Sequence, residues 1–233
     1  MPGKFNDTTV VIPTYNEAGS IGRLIKLLMG HYQGISIIVC DDGSTDGTLN
    51  IVGKTGGRVR LINRKELGRA RGLTGSVMDG ILAARTRYVV VMDGDMQHPP
   101  DMLSKINAML KSDKFKLVVA VRKQVPEWQL HRRIVSKVLI YLCYVPLAVR
   151  GSARCGDIFS GFFGCERGWM SNVIKANRSR YVTEGYKVLY DTLKCMDKHE
   201  PIGEVDYVFG TRNEGSSKAG PVHVAALIKS MLK

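Results

Sequence analysis

The stretch VVVMDGDMQHPP, residues 89–100, decides the fold class predicted for this chain. An apolar run of the kind buried in a parallel sheet ends abruptly at two aspartates, Asp93 and Asp95, separated by one glycine. Two prolines then open the next segment, and proline is favoured in the first turn of a helix. A buried strand followed by carboxylates and a helix indicates one strand–turn–helix unit of an α/β protein.

The same alternation of strand and helix continues on both sides of this stretch. Apolar and β-branched runs predict strands over 8–15, 35–40, 58–62, 87–92 and 117–121, with helices beginning near 20, 45, 67 and 99. The pattern predicts a mostly parallel central sheet with helices on both faces. Ligands of such sheets bind beyond the carboxyl ends of the strands, and polar clusters occur there at 14–17, 41–46 and 93–95.

The two aspartates suggest a metal site. Side chains two residues apart share a face of an extended chain, so Asp93, Asp95 and Gln97 point the same way if the chain stays extended. Oxygen ligands of this kind suit a hard divalent ion, Mg²⁺ or Mn²⁺, which would also remove the repulsion between the carboxylates. The alternative interpretation is a turn with a flexible glycine. The position at the ligand edge of the sheet favours the metal site.

The cluster DDGSTDGT, residues 41–48, has two interpretations. Asp and Gly are ordinary turn residues, and Ser44 or Thr45 is a suitable cap for the next helix. A carboxylate here is equally suited to accept hydrogen bonds from a ribose or a base. The spacing does not match a calcium-binding EF-hand loop. The first strand–helix turn has no GxGxxG pattern, which argues against a nicotinamide or flavin enzyme.

Composition indicates an anionic partner and a reducing compartment. The chain has 34 basic and 21 acidic residues, a formal charge of +13. Such a surplus suits nucleic acid, anionic lipid or a phosphorylated substrate. The five cysteines form no CxxC pair, which is typical of reduced thiols in the cytosol. A basic nucleic-acid-binding protein is therefore a distant alternative, but no RNP, KH or zinc-finger pattern supports it, so no nucleic-acid partner is expected.

The segment 122–154 combines basic and apolar character. It carries seven Lys or Arg and one acidic residue around the apolar run VLIYLCYVPLAV, residues 138–149. Twelve residues are too few to span a bilayer, which needs about 20. Two predictions remain open for this segment. It is either a helix lying in a membrane interface or a buried helix with a solvated basic face.

Seven motifs occur in an order that resembles a known family. They are VVIPTYNEAGSI, VCDDGSTDGT, LGRARGL, VVVMDGDMQHPPDML, DIFSGFF, EGYKVLYDTL and EVDYVFGTRNEGSSKAG. Together they are similar to glycosyltransferase family 2, and within it to the branch that transfers sugars to polyprenyl phosphates. The resemblance covers about Val10 to Lys218. It implies a GT-A fold and transfer of mannose from GDP-mannose to dolichyl or another polyprenyl phosphate, with inversion at the sugar carbon. Transfer of glucose from UDP-glucose to the same kind of lipid is the nearest alternative.

The resemblance also implies roles for individual residues. Metal-dependent catalysis would use Asp93, Asp95, Arg122 and Arg132, and the metal would be held by Asp93, Asp95 and Gln97. Contacts to the nucleotide sugar would come from Pro13, Tyr15, Glu17, Cys40, Asp42, Asp93, Gly94 and Asp95, with Arg212 and Lys218 closing over the diphosphate. The acceptor phosphate would be held by Arg122, Arg132 and Ser136. An anionic acceptor beside an anionic donor needs cations, which adds Arg133 as a candidate or as a solvated surface charge.

Two motifs depart from the family pattern, and both lie near the expected acceptor or closing region. DIFSGFF has Ile158 where proline is usual, and GSSKA has Ser216 and Ala219 in place of GESKL. The predicted division is a catalytic domain over 1–220, containing the acceptor and membrane region 122–154, and an amphipathic helix over 221–233. The expected location is the cytoplasmic face of a membrane, held peripherally. Some family members continue into transmembrane helices at this point and others rely on small membrane subunits, so such a subunit is a candidate partner.

Overall fold

The structure is a computed structural model that describes residues 5–124, 130–210 and 221–233, with side chains described except at 124, 130–139 and 221–224. These ranges form strands and helices in the following order: β1 (Thr8–Thr14), α1 (Ile21–His31), β2 (Ser36–Asp41), α2 (Thr48–Gly53), β3 (Val59–Asn63), α3 (Leu73–Ala83), β4 (Tyr88–Val91), α4 (Met102–Lys111), β5 (Leu117–Gln124), α5 (Leu130–Val149), β6 (Phe163–Glu166), α6 (Arg167–Ala176), α7 (Val188–Leu193), β7 (Ile202–Val208) and α8 (Pro221–Leu232).

The strands form one sheet in the order β3-β2-β1-β4-β6-β5-β7. All neighbouring pairs are parallel except those of β6, which runs antiparallel to both β4 and β5. The prediction of a mostly parallel sheet is therefore confirmed. The antiparallel strand β6 was not foreseen, because its four residues FGCE carry no clear strand pattern.

Helices cover both faces of the sheet, as predicted. Alternate residues of the central strands enter two separate cores, so that Val11 and Val91 lie on one face and Val10 and Val90 on the other. The first core is completed by residues of α3, α5, α6, α7 and α8. The second is completed by α1, α2 and α4. Burial on both faces explains why β1 and β4 are apolar without alternation.

Two helices begin later than their sequence patterns predict. α3 begins at Leu73 rather than near 67, because the preceding loop includes Gly68 in the left-handed region, with φ of 64°. α2 begins at Thr48, after Gly47, whose φ of 97° ends the loop. Glycine adopts positive φ readily, so the loops stay irregular up to these points. The prediction that Ser44 or Thr45 caps α2 is therefore wrong.

Helix α5 combines the two structures predicted for residues 138–149. Cys143 and Leu147 are fully buried in the core. The side chains of Tyr141, Val145 and Val149 lie on an exposed face, at 71%, 47% and 82% of full exposure. One face of the helix is thus a core face and another is apolar and exposed to solvent. No helix within the described ranges combines the length and apolar character of a membrane span.

Helix α8 is fastened to the rest of the molecule by a buried polar cluster. Lys194 lies with its Nζ 2.7 Å from Asp191 Oδ1 and 2.6 Å from the carbonyl oxygen of Ser230 on α8. Leu227 is buried in the core, whereas Ile228 is 54% exposed. The apolar residues of this predicted amphipathic helix are therefore divided between a core contact and solvent. The domain boundary at residue 220 stays a prediction.

Candidate active site

The sheet topology brings distant segments to one edge. β4 and β5 run in the same direction, so Asp93 and Arg122 lie at the same edge of the sheet. Because β6 is antiparallel, the residues before it lie at that edge too, and Phe163 pairs with Val91 at the end of β4. Segment 157–162 is thereby placed between the carboxyl ends of β4 and β5.

The DGD segment is a turn rather than an extended chain. The strand ends at Val91, and Met96 has a positive φ of 66°. Asp95 Oδ1 accepts a hydrogen bond of 3.1 Å from the backbone N–H of Gln97. The premise that Asp93, Asp95 and Gln97 share a face because the chain stays extended is therefore wrong. A tight turn places them at the edge of the sheet instead.

Asp93 is the more exposed carboxylate of the pair. Its side chain keeps 35% of full exposure, while Asp95 is 5% exposed. Desolvation in the cleft raises the pKa of Asp93; nearby His98 lowers it and Asp95 raises it further. His98 is buried and accepts a 3.0 Å hydrogen bond at Nδ1 from the backbone N–H of Asp93. Its ring also stacks on Phe162, which gives this histidine a structural role in shaping the turn.

The donor groups of this turn fit a hard divalent ion that binds substrate. Among the described residues, no group of three or more His, Cys, Asp or Glu side chains is arranged to hold a metal. Gln97 adds an amide oxygen to the two carboxylates, while its Nε2 donates to the carbonyl of Gly210 at 3.2 Å. Two carboxylates and one amide match the few protein ligands that Mg²⁺ or Mn²⁺ uses when waters and phosphates supply the rest.

Arg122 is held by Asp157, a residue to which the sequence analysis assigned no role. Its Nε and Nη2 lie 2.6 and 3.0 Å from the two carboxylate oxygens of Asp157. Burial would lower the pKa of Arg122, but the hydrogen bonds and charge of Asp157 raise it. Residues 157–162 form the Asp157 loop. This loop is held in turn by Ser160, whose Oγ donates a hydrogen bond of 2.7 Å to the carbonyl of Ala120 on β5. The signal that could have identified Asp157 is that it is the one charged residue in the motif DIFSGFF.

The loops after β1 and β2 hold one another by hydrogen bonds. The backbone N–H of Asn16 donates 2.8 Å to Ser44 Oγ, and the N–H of Thr45 donates 2.9 Å to Asn16 Oδ1. The N–H of Glu17 donates 2.9 Å to Thr48 Oγ1. The DDGSTDGT cluster therefore has the structural role foreseen for turn residues, and it also shapes the neighbouring edge of the sheet.

The first two aspartates of that cluster differ in their partners. Asp41 is fully buried, and its Oδ1 accepts hydrogen bonds from the N–H groups of both Gly43 and Ser44. Asp42 pairs with the buried Arg64 and accepts a 3.1 Å hydrogen bond from the N–H of Gly72. Asp42 is thus fixed at the edge of the sheet, whereas Asp41 builds the turn.

The remaining predicted nucleotide residues occupy different environments. Tyr15 lies in the loop after β1, with Arg71 stacked 3.4 Å from its ring centre. Glu17 follows in the same loop, and a Cβ at Gly94 would lie only 3.1 Å from Thr14 Cγ2. Pro13 is buried in β1 and pairs with Cys40 across the sheet.

Cys40 differs from the other predicted nucleotide residues. Its side chain is fully buried in the core behind α3, where burial raises the pKa of the thiol. A thiol in that position does not reach the ligand edge. The predicted nucleotide contact of Cys40 is thus restricted to its backbone.

Five predicted site residues cannot be placed. The side chains of Arg132, Arg133 and Ser136 on α5 lie outside the described residues, as do Arg212 and Lys218 entirely. Their assigned contacts with the acceptor phosphate and the diphosphate stay predictions. The described part of the site consists of the DGD turn, the Arg122–Asp157 pair and the two loops after β1 and β2.

A mostly parallel sheet with a carboxylate turn at its ligand edge is the arrangement expected of a nucleotide-sugar enzyme with a GT-A fold. Residues 9–170 match the family model described as "Glycosyl transferase family 2". The chain belongs to this family, and it is a glycosyltransferase.

Similar proteins agree with this assignment. A dolichol-phosphate mannosyltransferase of Saccharomyces cerevisiae is 31% identical, covering 90% of this chain and 80% of the relative. One from Pyrococcus furiosus is 29% identical over 90% of this chain and 58% of its own length. A crystal structure of glucosyl-3-phosphoglycerate synthase from Mycobacterium tuberculosis, in complex with Mn²⁺, UDP-glucose and phosphoglyceric acid, superposes with a TM-score of 0.61 at 19% identity. It covers 96% of this chain and 79% of that one, which confirms the predicted fold.

Proposed function

We propose that this chain transfers mannose from GDP-mannose to dolichyl or a related polyprenyl phosphate, with inversion at the sugar carbon. One observation carries the proposal: the exposed carboxylate of Asp93 lies at the same edge of the sheet as the Arg122–Asp157 pair. The similarity to dolichol-phosphate mannosyltransferases over 90% of the chain supports the choice of substrates. UDP-glucose is the competing donor, since no described contact separates guanine from uracil.

The donor would lie across the carboxyl ends of β1, β2 and β4. Tyr15, Glu17 and Asp42 border the edge where ribose and base would bind, and the salt bridge to Arg64 keeps Asp42 in place. Asp93, Asp95 and Gln97 would hold a divalent ion at the diphosphate. When bound, such an ion neutralises charge that grows on the leaving group. The absence of a side chain at Gly94 lets the turn pack closely on Thr14 at the end of β1.

The transfer needs no general base from the protein. A phosphate monoester is deprotonated near neutral pH, so its oxygen is already a nucleophile. That oxygen forms a bond to the anomeric carbon while the bond from this carbon to the diphosphate oxygen breaks, and GDP leaves with the electron pair. The task of the site is to bring two anionic groups together, which is opposed by Coulomb repulsion of about 4 kcal/mol at contact near a protein surface. Cationic and hydrogen-bonding side chains, together with a divalent ion, would therefore supply the charge stabilisation that the reaction needs.

The lipid acceptor would be reached from a membrane surface. The exposed apolar residues of α5, Tyr141, Leu142, Val145 and Val149, support a helix that lies in the interface. The surplus of positive charge supports binding to anionic lipid. A peripheral position on the cytoplasmic face, with or without a small membrane subunit, agrees with both features.

The proposed reaction is tested by product formation from competing donors. Purified protein in detergent is supplied with dolichyl phosphate and either labelled GDP-mannose or labelled UDP-glucose, and the lipid product is extracted and identified. Mannolipid from GDP-mannose alone is expected. Product from UDP-glucose alone would replace mannose with glucose in the proposal. Absence of lipid product from both donors, with a protein that binds GDP, would contradict it.

A further inference from the structure

Arg122, which is expected to hold the acceptor phosphate, does not carry an unpaired positive charge. Asp157 occupies two N–H groups of Arg122 and neutralises its charge. Arg122 keeps other N–H groups that can donate to a phosphate, but the pair as a whole contributes no net positive charge. An acceptor phosphate that approaches a diphosphate needs a further cation, since repulsion between them is strong in a partly buried site.

Lys187 is a second cationic side chain that faces this site. It follows Gly185 in the segment before α7, and its Nζ lies 3.5 Å from the carbonyl oxygen of Phe159 in the Asp157 loop. The ammonium also lies 4.8 Å from the centre of the Phe159 ring and 4.4 Å from that of Tyr186. The charged groups that act on it are Arg122, Asp157 and Asp93. Lys187 is thus directed toward the cleft between β4 and β5.

Lys187 and Lys194 lie at opposite ends of α7, and their hydrogen bonding differs. Lys194 Nζ contacts Asp191 Oδ1 at 2.7 Å, the Ser230 carbonyl at 2.6 Å and the Arg180 carbonyl at 3.2 Å. No carboxylate of the described residues lies within 4 Å of Lys187 Nζ, whose one described hydrogen-bond partner is a carbonyl at the limit of hydrogen-bond length. The carbonyl and the two aromatic rings are its described partners, and an anionic ligand would complete the bonding of this desolvated ammonium.

We propose that Lys187 binds the phosphate of the polyprenyl acceptor. It supplies a positive charge that is not offset, as the charge of Arg122 is offset by Asp157. This inference rests on the proposed function for the identity of the acceptor. The acceptor is favoured over the donor because Lys187 lies against the loop 157–162, whose Asp157 holds Arg122. The loops after β1 and β2, which would receive the nucleoside, contribute none of its described contacts.

The test combines charge-removing and charge-retaining variants. K187Q and K187R are compared with wild type and with K175Q, which alters an exposed lysine on α6. For K187Q we expect the KM for dolichyl phosphate to rise about tenfold to a hundredfold, as for loss of a hydrogen bond to a charged group. K187R should restore part of this loss. The dissociation constant for GDP should stay within about twofold of wild type, and Tm should not fall, since no described ion pair is broken.

A second readout separates this inference from the proposed function. Direct binding of geranylgeranyl phosphate is measured for wild type and K187Q by quenching of tryptophan fluorescence. If wild type transfers no sugar but binds this phosphate more tightly than K187Q does, the proposed function fails and the phosphate site stands. If wild type is active but K187Q leaves acceptor KM and phosphate binding unchanged, Lys187 is not the acceptor site. A loss of Tm with equal weakening of GDP and acceptor would also overturn the inference, because it would indicate a structural role.

Discussion

At the scale of single residues, Arg122 carries the most specific prediction for the acceptor. The guanidinium is fixed by both oxygens of Asp157, so its remaining N–H groups are preorganised for a phosphate. Replacing Arg122 by Gln should raise the KM for dolichyl phosphate by about tenfold or more and change GDP affinity little. Steady-state kinetics and calorimetric titration with GDP check the two effects separately.

The matched control is Arg60→Gln, which removes an exposed arginine on β3. This variant should leave both constants close to wild type. A fall in GDP affinity without an effect on lipid use in Arg122→Gln would show that Arg122 belongs to the donor site.

Lys187 gives the acceptor site an expected pH dependence. Burial, and then the positive charge of Arg122, lower the pKa of Lys187 to about 8, while Asp157, Asp93 and Cys143 act in the opposite direction. The side chain is therefore charged below about pH 8 and loses its proton as the pH rises above that value. The acceptor phosphate stays fully ionised over this range. The KM for the acceptor should consequently rise on the alkaline side, as measured by initial rates at several pH values.

The charge-retaining variant K187R provides the comparison for this pH profile. An arginine keeps its proton throughout the accessible pH range, so the alkaline rise in acceptor KM should be much smaller. The KM for GDP-mannose, measured in parallel, should follow the same course in both proteins. An identical alkaline rise of acceptor KM in K187R would assign the titration to another group.

At the scale of elements, Arg64 connects β2, β3 and α3. It lies at the end of β3, is 4% exposed in its side chain, and pairs with Asp42 after β2 and with Asp79 on α3. Replacing Arg64 by Met leaves Asp42 buried without its cation and leaves Asp79 with only the half-exposed Arg69, whose Nη1 lies 3.7 Å from Asp79 Oδ1. We expect a loss of about 3–5 kcal/mol in the free energy of unfolding, measured by urea denaturation.

The control for this stability prediction is a surface ion pair. Arg87 and Asp113 are 55% and 61% exposed in their side chains, so Arg87→Met should change the free energy of unfolding by no more than about 1 kcal/mol. Equal urea midpoints for Arg64→Met and wild type would contradict a structural role for the buried pair.

Helix α5 presents an exposed apolar face that we propose contacts a membrane. Leu142 and Val145 are each 47% exposed, and replacing both by Gln should reduce partition into vesicles containing anionic lipid by about tenfold or more. Tm should stay unchanged, because neither side chain is buried. Met29→Gln on α1, where the side chain is 40% exposed, is the control for a general loss of apolar surface. Unchanged partition, or a lowered Tm, would show that this face packs on protein instead.

The sequence predicted regular elements well and their beginnings poorly. β1, β2 and β4 each have an uninterrupted apolar centre, so their existence and parallel arrangement follow from burial on both faces. The start of α3 was misplaced because Gly68 lies in a segment whose composition is otherwise compatible with a helix. The helix α5 could not be assigned to core or interface from its pattern, since its apolar residues occupy both a buried and an exposed face.

At the scale of the whole molecule, the location of the site was predictable and its internal pairing was not. Carboxylates after parallel strands identify the ligand edge from sequence alone. No sequence pattern indicates the roles of Asp157 and Lys187, because the antiparallel direction of β6 is what places the Asp157 loop opposite Arg122. The contacts Arg122–Asp157 and Lys187–Phe159 join residues 35 and 28 positions apart, and such distant contacts leave no local sequence pattern. The net charge of the site depends on these contacts.

The whole molecule is basic, and the site explains part of this surplus. Binding a diphosphate and a phosphate at one edge, beside a membrane with anionic lipid, requires positive charge on that side. The carboxylates Asp93 and Asp95 oppose this charge, and they would be unfavourable at a diphosphate unless a divalent ion lay between them and the substrate. Metal dependence is therefore the property on which the account of the site depends most.

The most direct measurement is the initial rate of mannolipid formation from GDP-mannose and dolichyl phosphate in a metal titration, for wild type and Asp95→Asn. After treatment with EDTA, wild type should lose nearly all activity and recover it when Mn²⁺ or Mg²⁺ is added in excess. Asp95→Asn should bind dolichyl phosphate normally but stay at least about a hundredfold slower at every metal concentration, since it lacks one charged metal ligand. Activity that persists in EDTA, or an Asp95→Asn variant with a normal rate, would contradict the assignment of this turn as the catalytic metal site.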